Sequence, residues 1–151
     1  MRHPVWPAIL FPLAAAVVLL TGPPVRRAEA QTAVTTPRAG SAERKSIMEA
    51  LRFPVSTELK QKVIFVVTKL KVQRGYAFVI AQPQRPDGRK IDYSKTQYAE
   101  AIKGGAFDDQ VIGLLKKRGS QWRVLTYNIG ATDVVWEEWP AKYSAPAAIF
   151  K

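Results

Sequence analysis

Apolar residues recur at two spacings along this chain, helical and alternating, and each spacing predicts a kind of element. Ile47, Met48 and Leu51 fall at helical spacing behind Ser41, which can cap a helix whose first turn carries Glu43. Phe53-Pro54 is expected to end that helix, because the residue before proline is pushed out of the α region. From Val63 to Ala81 the pattern alternates. Val63 to Val67 opens a strand, Gln73-Arg74-Gly75 makes a three-residue turn, and Tyr76 to Ala81 returns. Pairing about that turn sets Val72 opposite Tyr76, Leu70 opposite Phe78 and Thr68 opposite Ile80. One sheet face then holds Ile64, Val66, Leu70, Val72, Tyr76, Phe78 and Ile80, and the other holds Lys69 and Lys71 beside Ala77, Val79 and Ala81.

Further along, Gln82 to Ser94 reads as a loop turning at Pro86-Asp87-Gly88. Tyr98 to Lys103 reads as a short helical piece stopped by Gly104-Gly105. Asp108 and Asp109 then open a second predicted helix with Val111, Ile112, Leu114 and Leu115 as its apolar face. Lys116, Lys117 and Arg118 fill its last turn and Gly119 closes it. Trp122 to Ile129 reads as a strand and Val134 to Trp136 as a short extended piece. Pro140 and Pro146 keep any helix in the tail brief.

Helix, hairpin, helix and strands together predict an α+β fold, with helices packed on one face of a curved antiparallel sheet. The segment formed by the second predicted helix and Gly119-Ser120-Gln121-Trp122-Arg123-Val124 resembles the end of a cystatin-like or nuclear-transport-factor-2-like domain. That resemblance implies a cavity between sheet and helix and names no ligand. The pattern Trp136, Trp139, Tyr143, Pro146, Phe150 is similar to that of small exported bacterial proteins.

The first 30 residues change the setting. A short basic start, an apolar run from Ala8 to Leu20 and the small-residue signal Ala28-Glu29-Ala30 have the layout of a secretory signal peptide. The apolar run is shorter than the roughly 20 residues of a transmembrane helix. An uncleaved anchor is the alternative. The expected location is periplasmic or secreted, with residues 31–40 as a flexible lead-in and 41–151 as a single domain. His3, the only histidine, leaves with the leader, and the chain has no cysteine. Cysteine-based and histidine-based metal sites and nucleophile–base pairs are thereby excluded.

Charge points to the partner. The chain carries 23 basic and 12 acidic residues, +11 in all. Without the leader, 20 basic and 11 acidic residues remain, a net charge of about +9. A surface this basic favours an acidic envelope component or an acidic partner protein, with peripheral membrane contact as a further possibility and nucleic acid disfavoured. Arg85, Arg89 and Lys90, with Lys95 and Tyr93 among them, decorate the loop. Lys69, Lys71 and Arg74 crowd the hairpin tip. If loop and tip share one side, they form one anion-binding surface; otherwise they are solvated charges. Trp136 and Trp139 could stack on a flat ligand or complete the core.

No catalytic set emerges. Asp108-Asp109 are read as helix-capping residues, Asp133 as a turn residue, and Glu137-Glu138 point to opposite faces of an extended segment. No cofactor or metal is expected, and the domain is read as non-catalytic. The competing reading is a pocket protein that holds or converts a small apolar or anionic molecule between the first helix and Tyr76, Phe78 and Ile80.

Overall fold

The computed structural model describes residues 32–151, so the predicted leader lies outside the described residues. The fold is α+β, built on one open four-stranded antiparallel sheet in the order of the sequence. Helix α1 (Ala42–Leu59) is followed by strands β1 (Ile64–Gln73) and β2 (Tyr76–Gln84) and by the short helix α2 (Ala99–Lys103). Strands β3 (Val111–Arg118) and β4 (Gln121–Ile129) complete the sheet, and helix α3 (Trp139–Tyr143) and a 3-10 turn (Ala147–Phe150) form the tail.

α1 starts as expected, with the Ser41 hydroxyl accepting from the Arg44 N–H at 3.3 Å. It does not stop at Pro54. Val55 and Leu59 continue the buried stripe of Ile47, Met48 and Leu51 for another turn, and their burial outweighs the proline penalty of about 3 kcal/mol. The helix ends instead at Lys60, which takes a left-handed conformation and donates back to Thr57.

The first hairpin turns in two residues, not three. Arg74 and Gly75 both have positive φ (49° and 70°), as a type I′ turn requires. Gln73 therefore pairs with Tyr76, Leu70 with Val79 and Lys71 with Phe78. This one-residue difference leaves the β1 groupings as expected and exchanges the β2 residues between the two faces. Leu70 and Val72 lie with Ala77, Val79 and Ala81 under α1, whereas Tyr76, Phe78 and Ile80 share the opposite face with Lys69 and Lys71. A bulge at Thr68 returns Phe65 and Val67 to the α1 side and turns Ile64 and Val66 away from it.

The segment expected to be the second helix is strand β3, and the segment carrying the family resemblance is a β-hairpin turning at Gly119-Ser120. Val111 to Leu115 is a continuous apolar run because β3 is covered on both faces, and such a run matches a helix stripe as well as a buried strand. Val111, Gly113 and Leu115 face α1. Gly113 permits the close approach, since a Cβ there would lie 2.9 Å from Leu51 Cδ1. Ile112 and Leu114 face the tail. The residues expected to be extended at Val134 to Trp136 bend into the turn that leads to α3.

Helices thus cover both faces of the sheet and not one. Under α1 the core is filled by Ile47, Leu51, Val55 and Leu59 against Val72, Val79, Val111 and Leu115, each no more than 1 % exposed. On the far side Phe78 is enclosed by Trp136, Trp139 and Phe150, with ring centroids 5.5, 6.4 and 4.8 Å away. The Tyr76 hydroxyl fastens this layer by donating to the Tyr143 carbonyl at 2.9 Å. The cavity expected between the first helix and Tyr76, Phe78 and Ile80 has no place here, because those residues point away from α1. In the lead-in, Thr35 pairs with Val72 along the β1 edge through two backbone hydrogen bonds of 2.8 and 2.9 Å.

Candidate anion-binding end of the sheet

The two expected basic clusters lie at opposite ends of the sheet. The hairpin tip precedes β2 and the Pro86 loop follows it, so nine residues of strand, about 27 Å, separate them. They do not form one surface.

At the loop end the two arginines already share an acidic partner. Arg89 donates to Asp87 through Nε at 2.7 Å and through Nη2, and Arg85 Nε is 3.9 Å from the same carboxylate. The hydrogen bonds from Arg89 hold the exposed Asp87 carboxyl below its usual range. Lys90 is exposed and bridges its backbone to Gln84, and Lys95 is exposed. Tyr93 does not join them. Its hydroxyl donates to Asp109 Oδ1 at 2.6 Å, and its ring packs 4.8 Å from Phe107. Burial and that bond push the Tyr93 pKa up.

Tyr93 belongs to an aromatic–carboxylate cluster that no local pattern announces. Glu58, near the end of α1, accepts from Tyr98, from Gln97 at 2.7 Å and from Tyr127 at 2.6 Å. Gln82 supplies a second donor to Asp109 at 3.3 Å. These bonds tie residues 93–110 to α1, β2 and β4. Each carboxylate is engaged by a tyrosine hydroxyl, which is the pattern of a clamp.

The opposite end is different. Tyr76 pairs with Lys116, which pairs with Arg123, and Arg118 pairs with Gln121 beyond them. Directly paired residues share a sheet face, as do residues two apart on one strand. Lys116, Arg118 and Arg123 therefore stand on one face, with Lys71 two strands away and Arg74 in the adjoining turn. Lys116 Nζ lies 3.3 Å from the Tyr76 ring centroid and donates to the Arg74 carbonyl at 3.3 Å. Arg123 donates to Gln121 at 3.0 Å. On the other face Lys117 reaches Glu43 at 3.4 Å and lies 5.7 Å from the Trp122 ring centroid. Among the described residues this is the only ion pair at the turn end; Lys69, Lys71, Arg74, Lys116, Arg118 and Arg123 have none.

Of the residues singled out from sequence, Lys69 and Lys71 stand on the tail side of β1, and Trp139 is 8 % exposed against Phe78. Trp136 packs on the same ring. Sequence reasoning missed Lys116, Arg118 and Arg123, because a predicted helix terminus already explained the first two. The signal that could have found them is an apolar run followed by a Gly-centred turn and a Trp-containing strand, which reads equally as a hairpin.

Among the described residues no group of three or more acidic, histidine or cysteine side chains could hold a metal ion, and no helix is long and apolar enough to cross a membrane. Comparison with protein-family models, with curated proteins and with solved structures finds no match to this chain.

Proposed function

We propose that this protein is an exported, non-catalytic binding domain of the bacterial envelope, which recognises an acidic partner through the turn end of its sheet. The observation that carries this reading is the convergence of Lys71, Arg74, Lys116, Arg118 and Arg123 at that end without an acidic neighbour to neutralise them. Unpaired cations grouped on a rigid hairpin raise the local concentration of anions and steer their approach. The loop cations Arg85 and Arg89 contribute less, since Arg89 is hydrogen-bonded to Asp87 and Arg85 lies 3.9 Å from the same carboxylate. Export to the periplasm or beyond is read from the leader pattern in the sequence. One long helix laid across an antiparallel meander also supports a cystatin-like type of fold.

Charge reversal tests the reading. Arg74→Glu with Arg118→Glu should abolish low-salt recovery of partners from envelope extracts, while Arg85→Glu with Arg89→Glu should leave it nearly intact. The reverse order of effects would move the site to the loop. Partners retained equally by both variants and at high salt would rule out a charge-based surface altogether.

A further inference from the structure

Lys116 and Arg123 are directly paired across β3 and β4, so two positive side chains share one rung, with backbones about 5 Å apart. Arg118 stands on the same face one step outward, about 7 Å along β3. Like charges set opposite each other weaken a hairpin. Lys116 leans onto the Tyr76 ring and Arg123 turns to the neutral Gln121, so neither is neutralised within the fold. A sheet that keeps three unneutralised cations on adjoining positions of one face presents a concentrated positive charge to an anion approaching that face.

The shape of the cluster selects the anion. A planar carboxylate offers two oxygens in one plane and is satisfied by a single guanidinium fork. A tetrahedral phosphate presents oxygens in several directions and can take donors from two strands at once. Arg74 and Lys71 continue the positive strip toward the first hairpin, so a second anionic group on the same polymer would meet them. The aromatic faces at this end are already occupied, Tyr76 by Lys116 and Trp122 by Lys117. They leave no platform on which nucleobases would stack.

We infer that the face formed by Lys116, Arg118 and Arg123 seats a phosphate group of a linear phosphate polymer, recognised through its charges and without reading bases. This rests on the acidic-partner reading above and specifies its chemistry.

The test compares three probes on the purified protein: long-chain inorganic polyphosphate, polyglutamate of matched total charge, and single-stranded DNA of matched phosphate number. Polyphosphate should bind at low salt at least about tenfold more tightly than polyglutamate, and DNA should bind no more tightly than polyphosphate. Arg118→Gln with Arg123→Gln should weaken polyphosphate by about tenfold or more, the loss of one to two charge-assisted hydrogen bonds. Both side chains are exposed, so the fold should tolerate the change, and Arg85→Gln with Arg89→Gln serves as the charge-matched control. Equal affinity for polyglutamate, lost in the same variant, would overturn the phosphate inference and leave the acidic-partner reading standing. DNA binding at least about tenfold tighter than polyphosphate would overturn it in favour of a base-stacking surface elsewhere. Binding of no polyanion at low salt would overturn both readings.

Discussion

The Tyr127 hydroxyl donates to Glu58 Oε2 at 2.6 Å, joining the last turn of α1 to the middle of β4. Tyr98 and Gln97 donate to the other oxygen of the same carboxylate, so Glu58 closes the segment after β2 onto the sheet. Removing this acceptor leaves the half-buried Tyr98 and Tyr127 hydroxyls, and the exposed Gln97 amide, to find water. Glu58→Ala is expected to destabilise the fold by about 1–3 kcal/mol. Glu58→Gln, which keeps one acceptor oxygen, should cost less. Urea unfolding of both variants checks the order, and an unchanged midpoint for Glu58→Ala would show that the cluster is ornamental.

The same cluster sets an alkaline limit. Burial, followed by the bond to Glu58, raises the Tyr98 pKa from its ordinary value of 10.0 to about 12, and Tyr127 and Tyr93 are raised for the same kinds of reason. A folded-state pKa above the unfolded value means that the folded protein holds the proton more tightly. The stabilisation is therefore complete below about pH 10 and is lost as pH rises toward 12. Stability should be level through neutral pH and fall above pH 10, with tyrosinate absorbance appearing together with unfolding. Tyr127→Phe with Tyr98→Phe should flatten that decline. Normal titration of all tyrosines in the folded state would contradict the geometry.

What is legible in the sequence depends on the range of the forces. The Ser41 cap, the Gly104 stop and the brevity of any helix in the tail follow from local chemistry, and each is found in the fold. The first hairpin was legible, but its register was not, because Gln73-Arg74-Gly75 fits a three-residue loop as well as Arg74-Gly75 fits a two-residue one. That ambiguity exchanges the β2 side chains between the two faces. β3 imitates a helix for a different reason. Burial on both sides removes the alternation by which a strand is recognised, and Asp108-Asp109 with Lys116 to Arg118 imitate helix-dipole pairing. The basic end was hidden with it, since Arg123 meets Lys116 only once β3 is a strand. The Glu58 contacts span 39 to 69 positions and leave no local signal.

The tail is expected to be integral to the domain. Trp139 is buried against Phe78, whose ring also meets Trp136 and Phe150. Trp139→Ala should cost about 3–5 kcal/mol, the usual range for emptying a large aromatic site. Trp136, which is less buried, should cost less. If Trp139→Ala left the thermal midpoint unchanged while abolishing binding of a ligand, the ring would belong to a recognition surface and not to the core.

Pro54 supplies the converse case. It sits inside α1, where it withholds an N–H from the carbonyl of Ala50 and crowds that turn, yet the helix continues to Leu59. The continuation is held by tertiary burial of Val55 and Leu59 and by the left-handed cap at Lys60. Restoring the donor should therefore stabilise the protein without altering its fold. Pro54→Ala is expected to add about 1–3 kcal/mol, seen as a higher denaturant midpoint with an unchanged slope. If the variant were instead destabilised, the proline would be holding a bend on which the packing of α1 against β4 depends. In that case Val55→Ala and Leu59→Ala should lose less than the full cost of an emptied core site, because the second half of the helix would be carried by its geometry more than by its buried stripe.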